Sequence, residues 1–149
     1  SMHLFLTPSP LVVSSRQVRD ALLDEKSLQD VSTMTEYAYM SVVGIGAAVE
    51  GATVLRNGIL NEGELTVLKM QGAVGDVLNH FMDKDGNLIQ TEIEDRVIST
   101  DLDKLRQLKN VVGVAGGKDK VTAIKAVLNG GYLNVLITDS DTAAELLLS

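Results

Sequence analysis

The stretch Val111-Val-Gly-Val-Ala-Gly-Gly-Lys-Asp-Lys120 decides the fold. A continuous apolar run that ends in glycines and then turns into an amphipathic segment reads as a buried strand, a tight turn and a helix. The strand is expected over Val111–Ala115 and the helix over Lys118–Leu128, closed by Asn129-Gly-Gly131. Val135-Leu-Ile-Thr138 is a second buried strand, and Asp139 or Ser140 caps a last helix to Leu148. Strand, helix, strand and helix in that order predict a βαβ unit and hence a parallel sheet. The Gly116-Gly117 turn also bears on chemistry. A helix start leaves backbone N–H groups unpaired, glycines allow close approach, and Lys118 or Lys120 adds a full charge, so a phosphate or carboxylate fits. An ordinary βα connection with both lysines in solvent fits equally well, because Gly-Gly-x-x-Lys is neither a Walker nor a complete Rossmann fingerprint.

Upstream, Tyr37–Ile45 reads as another buried strand that empties into Gly44-Ile-Gly46. Alone, that GxG is a strand exit; beside the Gly116-Gly117 turn it suggests one glycine-lined sheet edge. His3–Leu6 is expected as a short strand before the turn Thr7-Pro-Ser-Pro10. Helices are expected over Arg16–Asp24, with Ser14 or Ser15 as cap, over Ser27–Glu36, over Asn61–Gln71 closed by Gly72, and from Thr100 or Asp101 to Leu108. Val74–Met82 and Arg96–Ser99 are expected as strands, and Asp83-Lys-Asp85-Gly86 as a tight reversal. That reversal lacks the remaining ligands of a calcium loop. His3 and His80 have no cysteine and no second close histidine for a metal site, and no metal or other cofactor is implied. Ser14, Ser15 and Ser140 read as helix caps, and no nucleophile elbow is recognisable, so no catalytic residue is assigned.

Composition narrows the function. The chain has 149 residues, enough for one domain, with no tryptophan, two phenylalanines and three tyrosines, so its core is aliphatic. A formal charge of −7 argues against binding a phosphate backbone, and the scarcity of aromatics against single-strand stacking. Cysteine is absent, which removes disulfides and thiolate chemistry and fits the cytoplasm. No apolar run approaches the roughly 18 residues of a membrane span. Ser1 before Met2 reads as the remnant of a cleaved tag.

In order and spacing, five stretches resemble the C-terminal effector-binding region of SorC/DeoR-type bacterial sugar-operon regulators. They are Pro10–Ser15 with Arg19–Leu23, Val42–Ala47, Gly72–Gly86, Val111–Gly131 and Asn134–Leu147. The resemblance implies a Rossmann-like parallel sheet with flanking helices, similar to glucosamine-6-phosphate deaminase and ribose-5-phosphate isomerase, with only part of that domain in this chain. It implies a sugar or phosphosugar effector, operator DNA bound only through a separate helix-turn-helix, and control of oligomeric state. Carried over by position, Arg56 and Lys120 meet an anionic or hydroxyl group, Asp76 accepts hydroxyls, and His80 lines the pocket with Gly44, Gly46, Gly116 and Gly117. An isomerase- or deaminase-like enzyme and an oligomerisation module without ligand are the competing expectations. A part-domain with an aliphatic core is also expected to leave apolar surface for a second copy.

Overall fold

In a computed structural model of the chain, residues 2–149 are described; Ser1, the expected tag remnant, lies outside them. Three parallel strands form the expected sheet in the order β1 (Ser41–Gly44), β5 (Val111–Val114), β6 (Val135–Ile137). Between β1 and β5 the chain builds a second sheet. Its strands β2 (Gly46–Ala47), β3 (Gly75–Val77) and β4 (His80–Met82) are antiparallel. Only Ile45 separates β1 from β2, so one residue joins the two sheets.

Helix α6 (Val121–Asn129) supplies much of the common core. Its Ala123, Ile124, Ala126 and Val127 have no exposed surface, and they cluster with Val43 and Val111 of the parallel sheet and Val77 and Met82 of the hairpin. Leu102 and Leu105 of α5 (Leu102–Gln107) close the same cluster. A second apolar cluster joins α3 (Thr53–Arg56) and α4 (Glu62–Met70) to Phe81 and Ile93. Helices α1 (Arg16–Leu23) and α2 (Lys26–Tyr37) form an outer layer anchored by Val13, Leu28 and Ile98. Helix α7 (Ser140–Leu148) ends the chain.

Local chemistry explains most of these boundaries. Ser15 caps α1 by accepting from the Val18 N–H, and Asn61 and Glu64 form a reciprocal capping box on α4. Asp101 and Asp139 cap α5 and α7. In the Asp83–Gly86 reversal, Asp83 Oδ1 accepts from the N–H groups of Asp85 and Asn87.

Four expectations need correction. Val74–Met82 is not one strand: Leu78 and Asn79 both take left-handed backbone angles, φ 56° and 66°, and fold it into a two-residue hairpin. Tyr37–Met40 is not strand, since Tyr37 completes α2 and β1 starts at Ser41. His3–Leu6 is not a strand and has no regular structure, and Leu4, Phe5 and Leu6 are exposed. Arg96–Ser99 contributes one isolated bridge, Val97 to Val12, after a 3₁₀ turn over Glu94–Arg96.

One side of the parallel sheet is more open than the other. Register places Val42, Val112 and Val135 in one row and Gly44, Val114 and Ile137 in the next. Of these, Val112 is buried and Val42, Val114, Val135 and Ile137 are exposed, whereas Val43 and Val111 of the other face are buried in the core.

Candidate functional site

A cleft of about 520 Å³ opens at the carboxyl ends of β1 and β5. Ligands of open α/β sheets bind at this edge. Gly44, Ile45 and Gly46 form one wall, Asp119 and Lys120 another, and the Glu50–Asn57 segment a third. Asp76 and Asn79 reach in from the hairpin.

Each polar group has an identifiable support. Asp76 is 7% exposed, and its Oδ2 accepts from the Asn79 N–H at 3.2 Å. Burial pushes its carboxyl above the usual range, against the opposing pull of that N–H, of Lys120 and of His80. Gly46 lies opposite Asp76 in the β2–β3 register, and a Cβ on it would collide with Asp76 Oδ1. Glycine there makes room for the carboxylate. Lys120, half-buried at the start of α6, donates to the Ile45 carbonyl at 2.8 Å. Arg56, at the end of α3, is exposed and donates to Thr53 Oγ1 at 3.2 Å. The cleft thus joins a dehydrated carboxylate to two cations, with bare backbone between. That set can hold hydroxyl groups and one anionic group.

The structure therefore gathers Arg56, Asp76, Lys120, Gly44 and Gly46 around one cavity. It places the other three candidates elsewhere. Gly117 donates its N–H to Thr142 Oγ1 at 2.8 Å, and a Cβ on Gly116 would strike Asp139 Oδ2. The Asp139 carboxyl is held below its ordinary range by the backbone N–H and hydroxyl of Thr142. The Gly116-Gly117 turn accordingly packs on the capped start of α7, with a carboxylate beside it, and does not line the cleft.

His80 is buried and faces away from the cleft. Its Nδ1 lies 2.8 and 3.0 Å from the two oxygens of Glu94, and its Nε2 lies 2.7 Å from Ser99 Oγ and 2.9 Å from the Thr100 carbonyl. Serine, imidazole and carboxylate in a row resemble a hydrolytic triad. However, Ser99 donates its proton to the Leu78 carbonyl at 2.8 Å, Nε2 also faces a carbonyl, and none of the three lines the cleft. The sequence reading missed Asn79, Glu50 and Asp119 as cleft residues. The Gly-Ile-Gly strand exit signals the neighbourhood, but only the hairpin brings Asn79 there.

Among the described residues, no group of three or more acidic, histidine or cysteine side chains is placed to hold a metal, and no helix is long and apolar enough to cross a membrane.

The family model described as "Putative sugar-binding domain" matches residues 1–148. The chain is 42% identical over 145 residues to the transcriptional regulator LsrR of Klebsiella pneumoniae, covering 95% of this chain and 45% of that protein. It is 39% identical over 147 residues to LsrR of Escherichia coli K12, covering 97% and 46%. Among solved structures, it is similar to a DeoR family transcriptional regulator from Listeria monocytogenes, with a TM-score of 0.89 at 26% identity, covering 94% and 57%. The full-length sorbitol operon regulator SorC of Klebsiella pneumoniae superposes with a TM-score of 0.82 at 28% identity, covering 93% and 44%. The chain spans just under half the length of the curated relatives it matches.

Proposed function

Because the chain belongs to the sugar-binding domain family of transcriptional regulators, we propose that it is the effector-sensing part of such a regulator and takes a sugar or phosphosugar into the cleft at the ends of β1 and β5. The observation that carries this reading is the convergence of Asp76, Lys120 and Arg56 on that cleft. Asp76 accepts from ligand hydroxyls, Lys120 and Arg56 meet an anionic or hydroxyl group, and Gly44 and Gly46 let the ligand approach the backbone. Effector binding then shifts the shape or assembly of the whole regulator, which acts in the cytoplasm. Operator DNA is contacted by another segment of the regulator, since this one carries a formal charge of −7. The role is sensing rather than catalysis: the serine–histidine–carboxylate row is outside the cleft, and the relatives are regulators.

Thermal shift tests the reading with a panel of hexoses, pentoses and alditols and their 5- or 6-phosphates. A ligand at 100 times its Kd should stabilise the chain by about 2.7 kcal/mol. Lys120→Gln should weaken a phosphorylated ligand far more than its free sugar. Failure of the whole panel on both this chain and a full-length regulator carrying it would reject the proposal. Turnover of a phosphosugar would favour an isomerase- or deaminase-like enzyme instead.

A further inference from the structure

The cluster of buried His80 with half-buried Ser99 and Glu94 belongs neither to the apolar core nor to the cleft surface, yet it ends on the turn that carries Asn79. We propose that these three are positioning residues of the cleft, fixing the Leu78–Asn79 turn and thereby the direction in which Asp76 faces its ligand. This rests on the reading of the cleft as the effector site.

The turn needs such a hold. Leu78 has φ 56°, a left-handed conformation disfavoured for a leucine, and Asn79 follows at φ 66°. Backbone in that region persists where its surroundings over-determine it. Ser99 Oγ provides the hold by donating to the Leu78 carbonyl at 2.8 Å. The hydroxyl is in turn located by His80 Nε2 at 2.7 Å, and the ring by both oxygens of Glu94. On the other side of the turn, the Asn79 N–H reaches Asp76 Oδ2, and Asn79 itself lines the cleft. Asp76 is therefore aimed by a bond whose donor sits in a strained turn, and that turn is held from behind.

The same cluster reaches the outer helices. The Glu94 carbonyl accepts from Arg19 of α1 at 3.3 Å, and the Arg96 carbonyl accepts from the Val13 N–H at 2.9 Å. A change at the cleft that shifts the turn thus has a continuous polar path to the α1 layer.

The test uses the whole chain without ligand, so it does not depend on the effector reading being right. Amide exchange at Asn79 and the carboxyl NMR titration of Asp76 are measured in wild type, Ser99→Ala and Ser99→Thr. In Ser99→Ala the Asn79 amide should exchange at least ~10-fold faster, a loss of about 1.4 kcal/mol of local protection, while Phe81 and Met82 in β4 keep theirs. Asp76, deprived of its N–H partner, should titrate higher still. Ser99→Thr keeps a hydroxyl and should restore both readings. A Ser99→Ala chain that melts earlier but leaves Asn79 and Asp76 unchanged would show a plain staple and overturn the proposal. If Ser99→Ala does not fold, Glu94→Gln, which weakens the grip on the ring, should move both readings in the same direction. An unchanged pair there would overturn it equally.

Discussion

At the scale of single residues, Asp76 sets function against stability. Burial raises its pKa in the folded chain above the unfolded value near 3.8. The folded state therefore holds the proton more tightly than the unfolded state. That stabilisation is complete below the unfolded value and is lost as pH rises through the raised folded value, so at neutral pH the buried carboxylate is a burden. Asp76→Asn keeps the shape and an oxygen for the Asn79 N–H while removing the charge. It should melt roughly 2–4 °C higher at pH 7, an effect of about 1 kcal/mol, and the gain should vanish below pH 3.8 when calorimetry is repeated there. Effector affinity should fall at least ~10-fold in the same variant, the loss expected for a charged hydrogen bond. Equal melting at both pH values would show that the carboxylate is not under strain. The resemblance to SorC/DeoR-type regulators singled out Asp76, Lys120 and Arg56, and the fold brings them to one cleft. It misplaced His80 because burial and the acceptors around a ring come from distant segments, here Glu94 and the Ser99–Thr100 pair.

At the scale of elements, what was legible followed from local chemistry. Ser15, Asn61, Asp101 and Asp139 announce their helices because a cap acts within its own first turn. Strand β5 was legible because an apolar run bounded by glycines has few alternatives. The β3–β4 hairpin was not, since Leu78-Asn79 lacks the Asn-Gly or Asp-Gly signature, and its geometry is imposed by Ser99 from a distant segment. The same contrast governs the seam between the Asp83–Asn87 reversal and the end of α6. There Gly86 approaches Gly130 so closely that a Cβ would meet Gly130 backbone atoms 2.5 Å away. Tyr132 seals the seam. Its hydroxyl donates to the Gly86 carbonyl, and Arg106 lies 4.5 Å over its ring while donating to the Gly130 carbonyl. Tyr132→Phe leaves the Gly86 carbonyl buried without this partner and should cost about 1–3 kcal/mol in urea unfolding. A loss below a few tenths of a kcal/mol would mean that water replaces the hydroxyl.

For the molecule as a whole, the parallel sheet decides both the position of the cleft and the character of the opposite surface. Val42 and Val135 in one row, and Val114 and Ile137 in the next, form an uncharged, apolar patch on three short strands. Two copies of this chain are expected to cover it by packing face to face, since the same patch can serve both partners. Light scattering over a concentration series should show a dimer that the double variant Val135→Asp, Ile137→Asp converts to monomer. A monomer at every concentration in the parent chain would reject this. The Gly44-Ile-Gly46 wall of the cleft was readable from its strand exit, whereas the closure of the Gly116-Gly117 turn was not, because Asp139 and Thr142 arrive from the next helix. One further consequence lies in Ile45, whose side chain is locked in the core while its carbonyl is held by Lys120. The Lys120 ammonium has three N–H donors and spends one on that carbonyl, so an arriving anion meets the other two and need not release it. That carbonyl belongs to the one residue joining the two sheets. The cation that faces the cleft thus also fastens the seam between the sheets, and its aim is set before any ligand arrives.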